Sequence, residues 1–143
     1  MNKEVELQVT CPANLNSLYF LDDFCEHSLS FIGSIKKEWI CFAAHEVFIN
    51  IIEATRQQYG DSHNKKLSMR ISSQNNEIEI EISDEVSGIP DEILGSVRIR
   101  TFEDVLLEEN SRGLMMIHHI ADEWQYEADG NKGIFTLRFR GEI

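Results

Sequence analysis

Residues 67–84 read LSMRISSQNNEIEIEISD. Leu67, Met69 and Ile71 alternate with polar residues, and Ile78, Ile80 and Ile82 alternate with glutamates. A period of two puts every apolar side chain on one face of a strand and leaves the other face wet. The intervening QNN suits a tight reversal, so the stretch predicts a β-hairpin with one oily face. Such a face has to be covered by another layer. The second strand ends on Asp84 and passes at once into EVSGIPDEI, 85–93. Two readings fit that ending: a plain surface turn, or a place where backbone lies close to a ligand.

Working outward, EVELQVT at 4–10 sets Val5, Leu7 and Val9 on one face of another strand. At 14–31, Leu15, Leu18, Tyr19, Phe24 and Leu29 recur at roughly helical spacing, and Gly33-Ser34 breaks the run. A long helix is expected from about Lys36 to Gln58, stopped by Gly60. Pro90 suits the start of a short helical turn, 101–109 (TFEDVLLEE) reads as an isolated helix, and 112–121 as an apolar helix opened by Gly113. WQYEA at 124–128 and GIFTLRFR at 133–140 predict a last hairpin around Asp129-Gly130. Strands gather in hairpins and helices are segregated. The fold class expected is α+β: a two-layer α/β sandwich whose mostly antiparallel mixed sheet is covered by helices on one face. Neither GxGxxG nor GxxxxGK[ST] is present, which argues against a doubly wound nucleotide fold.

The chain has 143 residues, a length that suits one domain spanning 1–143. Its formal charge of −12 disfavours direct binding to nucleic acid or to an anionic membrane surface. Cys11, Cys25 and Cys41 match no disulfide framework or zinc spacing, and buried thiols in a reducing cytoplasm are expected. MNKEVELQVT lacks the apolar segment of a signal peptide. No apolar run approaches the roughly 20 residues that span a bilayer.

The helix at 40–57, ICFAAHEVFINIIEATRQ, carries the chemistry. Ile40, Ala44, Val47, Ile51 and Ala54 form one stripe facing the sheet, with Phe42, Phe48, Ile49 and Ile52 beside it. Against this background Glu46, Asn50 and Glu53 line a polar ridge at i, i+4, i+7. Glutamate with asparagine is a hard-oxygen set suited to magnesium and phosphate oxygens. A solvated helix face is the alternative. His118 and His119 are neighbours about 100° apart on a helix and cannot act as an i, i+4 metal pair, so packing at the core edge is expected. His45 is likewise not read as a catalytic base, and Met115 and Met116 read as core fillers.

In order, Glu46 and Asn50 in AAHEVFINII, Asp84 and Gly88 in DEVSG, Gly113-Leu114 in SRGLMMI, and the closing GNKGIFTLRF resemble the GHKL, or Bergerat-fold, ATP-binding domain. Within it they resemble the bacterial anti-sigma factor and serine kinase group. The resemblance covers essentially the whole chain. It implies ATP and magnesium as cofactors. Asp84 would accept a hydrogen bond from the exocyclic amine of adenine, and Gly88 would let the chain pass close to the base. Asn50 would hold magnesium through its amide oxygen, and Glu46 would act as general base. Ser111, Gly113 and Leu114, at a helix start, would meet the phosphates, and Arg112 would add charge stabilisation.

The departures are specific. Val86 and Ser111 stand where the pattern has glycines, Ala54 where relatives often have histidine, and Phe135 where a threonine often assists adenine binding. The implied function is a cytoplasmic bacterial regulator resembling an anti-sigma factor with serine/threonine protein kinase activity in a partner-switching pathway. Its partners would be a sigma factor or an anti-sigma-factor antagonist, and it would form a homodimer. The rival is a non-catalytic interaction module on the same scaffold. The acidic, apolar segment 103–110 and the face bearing Phe20, Asp22, Asp23 and Phe24 are the candidate docking surfaces.

Overall fold

The computed structural model describes residues 4–85, 109–129 and 132–141, with 109–114 and 129 described as backbone. Its elements are β1 (Val5–Pro12), α1 (Leu15–Ile32), α2 (Lys37–Tyr59), β2 (Lys66–Gln74), β3 (Glu77–Asp84), α3 (Glu109–Ile120), β4 (Glu123–Asp129) and β5 (Lys132–Arg140). The strands form one sheet in the order β1-β2-β3-β5-β4, and each pairing among the described residues is antiparallel. The chain has the α+β architecture expected of it.

The β2–β3 hairpin forms as its alternation dictates. Gln74 pairs with Glu77 across a two-residue turn, Asn75-Asn76, with φ of 54° and 62°. Two successive left-handed residues make the turn whose twist matches the flanking strands, and asparagine tolerates that region. The inner row runs Ile71, Ile80, Leu137 and Trp124, with Met69, Ile82, Phe135 and Tyr126 as the next row. The aliphatic members of both rows are buried in a core shared with α1, α2 and α3, and full burial of each such side chain contributes roughly 1.5–3 kcal/mol. The outer face is a ladder of charges. Arg70 reaches Glu81 at 2.7 Å and Glu79 at 3.4 Å, and Arg138 reaches Glu79 at 3.0 Å and Glu123 at 3.3 Å.

Both long helices stop where glycine requires. Gly33 has φ 90° and donates its amide to Leu29 O at 2.9 Å; Gly60 has φ 79° and donates to Arg56 O at 2.7 Å. On α2 the buried face is wider than the predicted stripe. It takes in Ala43, Phe48, Ile52 and Thr55, while Ala54 is half-buried. On α1 the expected set is inward only in part: Leu29 is buried and Leu18 and Phe24 pack against the core, but Leu15 and Tyr19 are exposed, Tyr19 at 84%, and Ser17, Leu21, Cys25, Ser28 and Ile32 are also buried. Small polar residues lie inward there because α1 packs close against α2. The apolar outer surface that results carries Phe20, Phe31, Ile35, Trp39 and Phe42.

Candidate functional site

Helix α2 lies over the inner face of the sheet, and α1 and α3 both pack against it. Glu46 and Asn50 sit one turn apart on this helix and are half-buried. Neither side chain has a hydrogen-bond or ion-pair partner among the described residues. Polar groups held at a protein surface beside a core, with no protein partner, are available to water, a cation or a ligand. Glu53, the third member of the ridge, belongs elsewhere. It is exposed and lines a hollow of about 270 Å³ with Asn14, Arg56 and His63, between the start of α1 and the end of α2.

Asp84 is the last residue of β3 and takes the inner position that the preceding isoleucines occupy, at 2% exposure. Its strand neighbours are Leu67 and Gly133. Burying a carboxylate costs several kcal/mol unless hydrogen bonds offset it, and Asp84 takes a place that the pattern of β3 gives to isoleucine. Glu85 then closes the ladder, accepting the Lys66 amide at 2.6 Å. Gly133 explains its own identity. A Cβ there would overlap the Tyr126 hydroxyl and stand 2.8 Å from Asp84 Oδ2. Asp84, Gly133 and Tyr126 are thus brought together. Tyr126 was not singled out from the sequence, although its alternation with Trp124 and the Asp129-Gly130 turn set it opposite Phe135.

Phe135 is buried at 1% exposure, on the same face one residue pair further in. It stacks on Trp124 with ring centroids 5.6 Å apart and 8° between planes, and tilts against Tyr126 at 6.0 Å. Val86, Gly88, Pro90 and the segment 101–108 lie outside the described residues.

Helix α3 begins at Glu109, four residues earlier than a start at Gly113. Acidic and small polar residues at 109–111 favour a helix amino terminus through the backbone dipole and capping. Ser111, Arg112, Gly113 and Leu114 therefore lie within the helix, and their side chains are outside the described residues. Gly113 is thus inside the described helix rather than opening it. Met115 is buried, as a core filler should be, while Met116 is half-buried. His118 and His119 are exposed rather than packed at the core edge. His118 Nδ1 accepts a hydrogen bond from Trp124 Nε1 at 3.0 Å. Among the described residues no three histidine, cysteine or carboxylate groups are placed to hold a metal. No described helix is long and apolar enough to cross a membrane.

This arrangement agrees with what other proteins show. Among solved structures, the crystal structure of the RsbU and RsbW domains of Rv1364c from Mycobacterium tuberculosis superposes on 95% of this chain with a TM-score of 0.63 at 15% identity. This chain covers 32% of that one, so the likeness is one of fold. No curated protein matches the chain. The model of the histidine kinase-like ATPase domain matches residues 16–139, from the first turn of α1 into the end of β5, a span that includes Glu46, Asn50, Asp84, Tyr126, Gly133 and Phe135. The chain belongs to the histidine kinase-like ATPase domain family.

Proposed function

We propose that the protein binds ATP with magnesium and acts as a regulatory serine/threonine protein kinase of the anti-sigma-factor type. One observation carries the reading. Among the described residues Glu46 and Asn50 stand half-buried and unpartnered on α2, over the sheet face where the apolar pattern of β3 gives way at its end to the buried Asp84. The donor set fits the cofactor: an amide oxygen and a carboxylate are hard ligands of the kind magnesium shares with phosphates. Magnesium-ATP, when bound, supplies the transferable phosphoryl group and the metal charge that offsets its oxygens.

The residues of the chain would do the rest. Asn50 would hold magnesium through its amide oxygen. Asp84 would orient the base by accepting its exocyclic N–H, a polar contact that a ligand without the donor cannot make. Glu46 would take the proton of the attacking serine or threonine hydroxyl. Amides of the first turn of α3, near Ser111, would receive phosphate, and Arg112 would add positive charge. Gly88 would give the backbone room beside the base.

The partner side of the function is supported by the outer face of α1 and the start of α2. Phe20, Phe31, Ile35, Trp39 and Phe42 are exposed there beside Asp23 and Glu26, and α1 contains no lysine or arginine. This surface suits a basic amphipathic segment of a sigma factor or of its antagonist. A non-catalytic module on the same scaffold is the second reading, and the burial of Phe135 favours it.

Calorimetric titration with magnesium-ATP tests the proposal. Binding is expected for the wild-type chain, with the dependence on magnesium lost in Asn50→Ala. Glu46→Gln is expected to retain binding and lose phosphoryl transfer to a serine-bearing partner by at least ~100-fold. Absence of binding heat at millimolar nucleotide, with the chain folded, would overturn the reading.

A further inference from the structure

The seam between α1 and α2 holds a second chemical feature. The helices run antiparallel, and two contacts set their register. His45 Nδ1 donates to the carboxylate of Asp22 at 2.9 and 3.0 Å, and Lys37 Nζ donates to Ser30 Oγ at 3.2 Å. Between these contacts the antiparallel register sets Cys25 of α1 across the seam from Cys41 of α2. Cys25 is buried at 1% exposure, whereas Cys41 is half-buried and opens into a hollow of about 360 Å³ that Lys37 and His45 also line.

The two thiols are therefore unlike. The neighbouring Cys25 thiol holds the Cys41 thiol below its ordinary value; Lys37 assists, and burial, Glu26 and Asp22 oppose. Cys25 is pushed well above its ordinary value by the nearby Cys41 and by burial. A half-buried sulfur open to a hollow lined by Lys37 and His45, with a buried thiol across the same seam, is the arrangement of an attacking and a resolving cysteine.

We propose that Cys41 is a site of oxidative modification by hydroperoxides, and that Cys25 resolves the product into an intrachain disulfide joining α1 to α2. In the first step the Cys41 thiolate attacks one peroxide oxygen. The O–O bond breaks, Cys41 becomes a sulfenic acid, and hydroxide leaves. In the second step the Cys25 sulfur attacks the sulfenic sulfur. The S–S bond forms, the S–O bond breaks, and the Cys25 proton leaves with the hydroxyl as water. The peroxide gains two electrons and the two sulfurs lose them. The new bond lies about one turn before Glu46 on the helix that also carries Asn50.

The test uses the full chain and dilute hydrogen peroxide. Free thiols should fall from three to one, the intact mass should drop by two hydrogens, and peptide mapping should find Cys25 joined to Cys41 with Cys11 still reduced. Cys11 is an internal control, since burial pushes its thiol up. The cross-link should raise the thermal midpoint by roughly 5–10 °C, and a dithiol should reverse the shift. Cys25→Ala should accumulate a dimedone-reactive sulfenic acid at Cys41. In Cys41→Ser, Cys25 should resist peroxide. Oxidation of Cys11 at the same rate as Cys41 would overturn the proposal, as would a persistent sulfenic acid in the wild type or cross-links only between chains. The wild-type peptide map decides the matter even if Cys25→Ala fails to fold.

Discussion

Phe135→Thr is the substitution that most directly couples folding to the site. Phe135 is sealed in the inner face, stacked on Trp124 and tilted against Tyr126. Truncating a buried phenylalanine costs about 3–5 kcal/mol. Roughly 0.5–1.5 kcal/mol of that reflects aromatic pairing beyond the area buried. The β-branched replacement suits a strand and recovers a few tenths, while its hydroxyl loses about 1–3 kcal/mol unless it finds an acceptor. The net expectation is a loss of about 4 kcal/mol, a large part of the ~5–15 kcal/mol that holds a domain of this size. Urea denaturation followed by tryptophan fluorescence reads it, because one of the two tryptophans is the stacking partner. The midpoint temperature should fall by roughly 10 °C. Nucleotide affinity should move the other way. A smaller residue one pair in from Asp84 opens room beside the carboxylate, so magnesium-ATP should bind more tightly, measured at a temperature where the variant is folded. A stability loss under about 1 kcal/mol would refute the view of Phe135 as a core plug. Unchanged or weaker ATP binding would refute its position beside the base.

Gly133→Ala should push the Tyr126 hydroxyl away from Asp84 and destabilise the chain by about 1–3 kcal/mol, the usual range for an overpacked site, visible as a lower urea midpoint. Acidification should weaken the outer-face ladder. Arg140, and then Arg138, hold the Glu123 carboxyl below its ordinary value. Its stabilising contribution is thus present above the unfolded value and lost as pH falls through the depressed one. Comparing wild type with Glu123→Gln from pH 7 to pH 3 should show a stability gap that closes on the acid side; a gap that widens there would contradict the assignment.

The strands were legible because their alternation is strict and Asn75-Asn76 fits a two-residue turn. Helix α2 was legible because Gly60 ends it and its apolar residues recur at helical spacing. The face of α1 was legible only in part: Leu18, Phe24 and Leu29 lie inward and Phe20 outward as expected, but Ser17, Cys25 and Ser28 are also inward, selected by close helix packing, while Leu15 and Tyr19 point outward. Hydropathy alone ranks those groups in the wrong order. The start of α3 was misplaced because the Gly113 motif outweighed the helix-initiating residues at 109–111. Of the site, Glu46, Asn50 and Asp84 stood out as polar groups in apolar settings. The crowding of Tyr126 on Gly133 was hidden, because it arises from two strand pairings at once.

The repeat within β3 carries a consequence of its own. EIEIEI looks the same to its neighbours after a slide of two residues, since isoleucine replaces isoleucine and glutamate replaces glutamate. Cross-strand contacts in the middle of the hairpin therefore discriminate poorly between alignments, and the reversal at Asn75-Asn76 has to choose among them. A slide of two would carry Asp84 about 7 Å along the strand. The aim of the carboxylate at one end of the sheet is thus decided by two asparagines at the other.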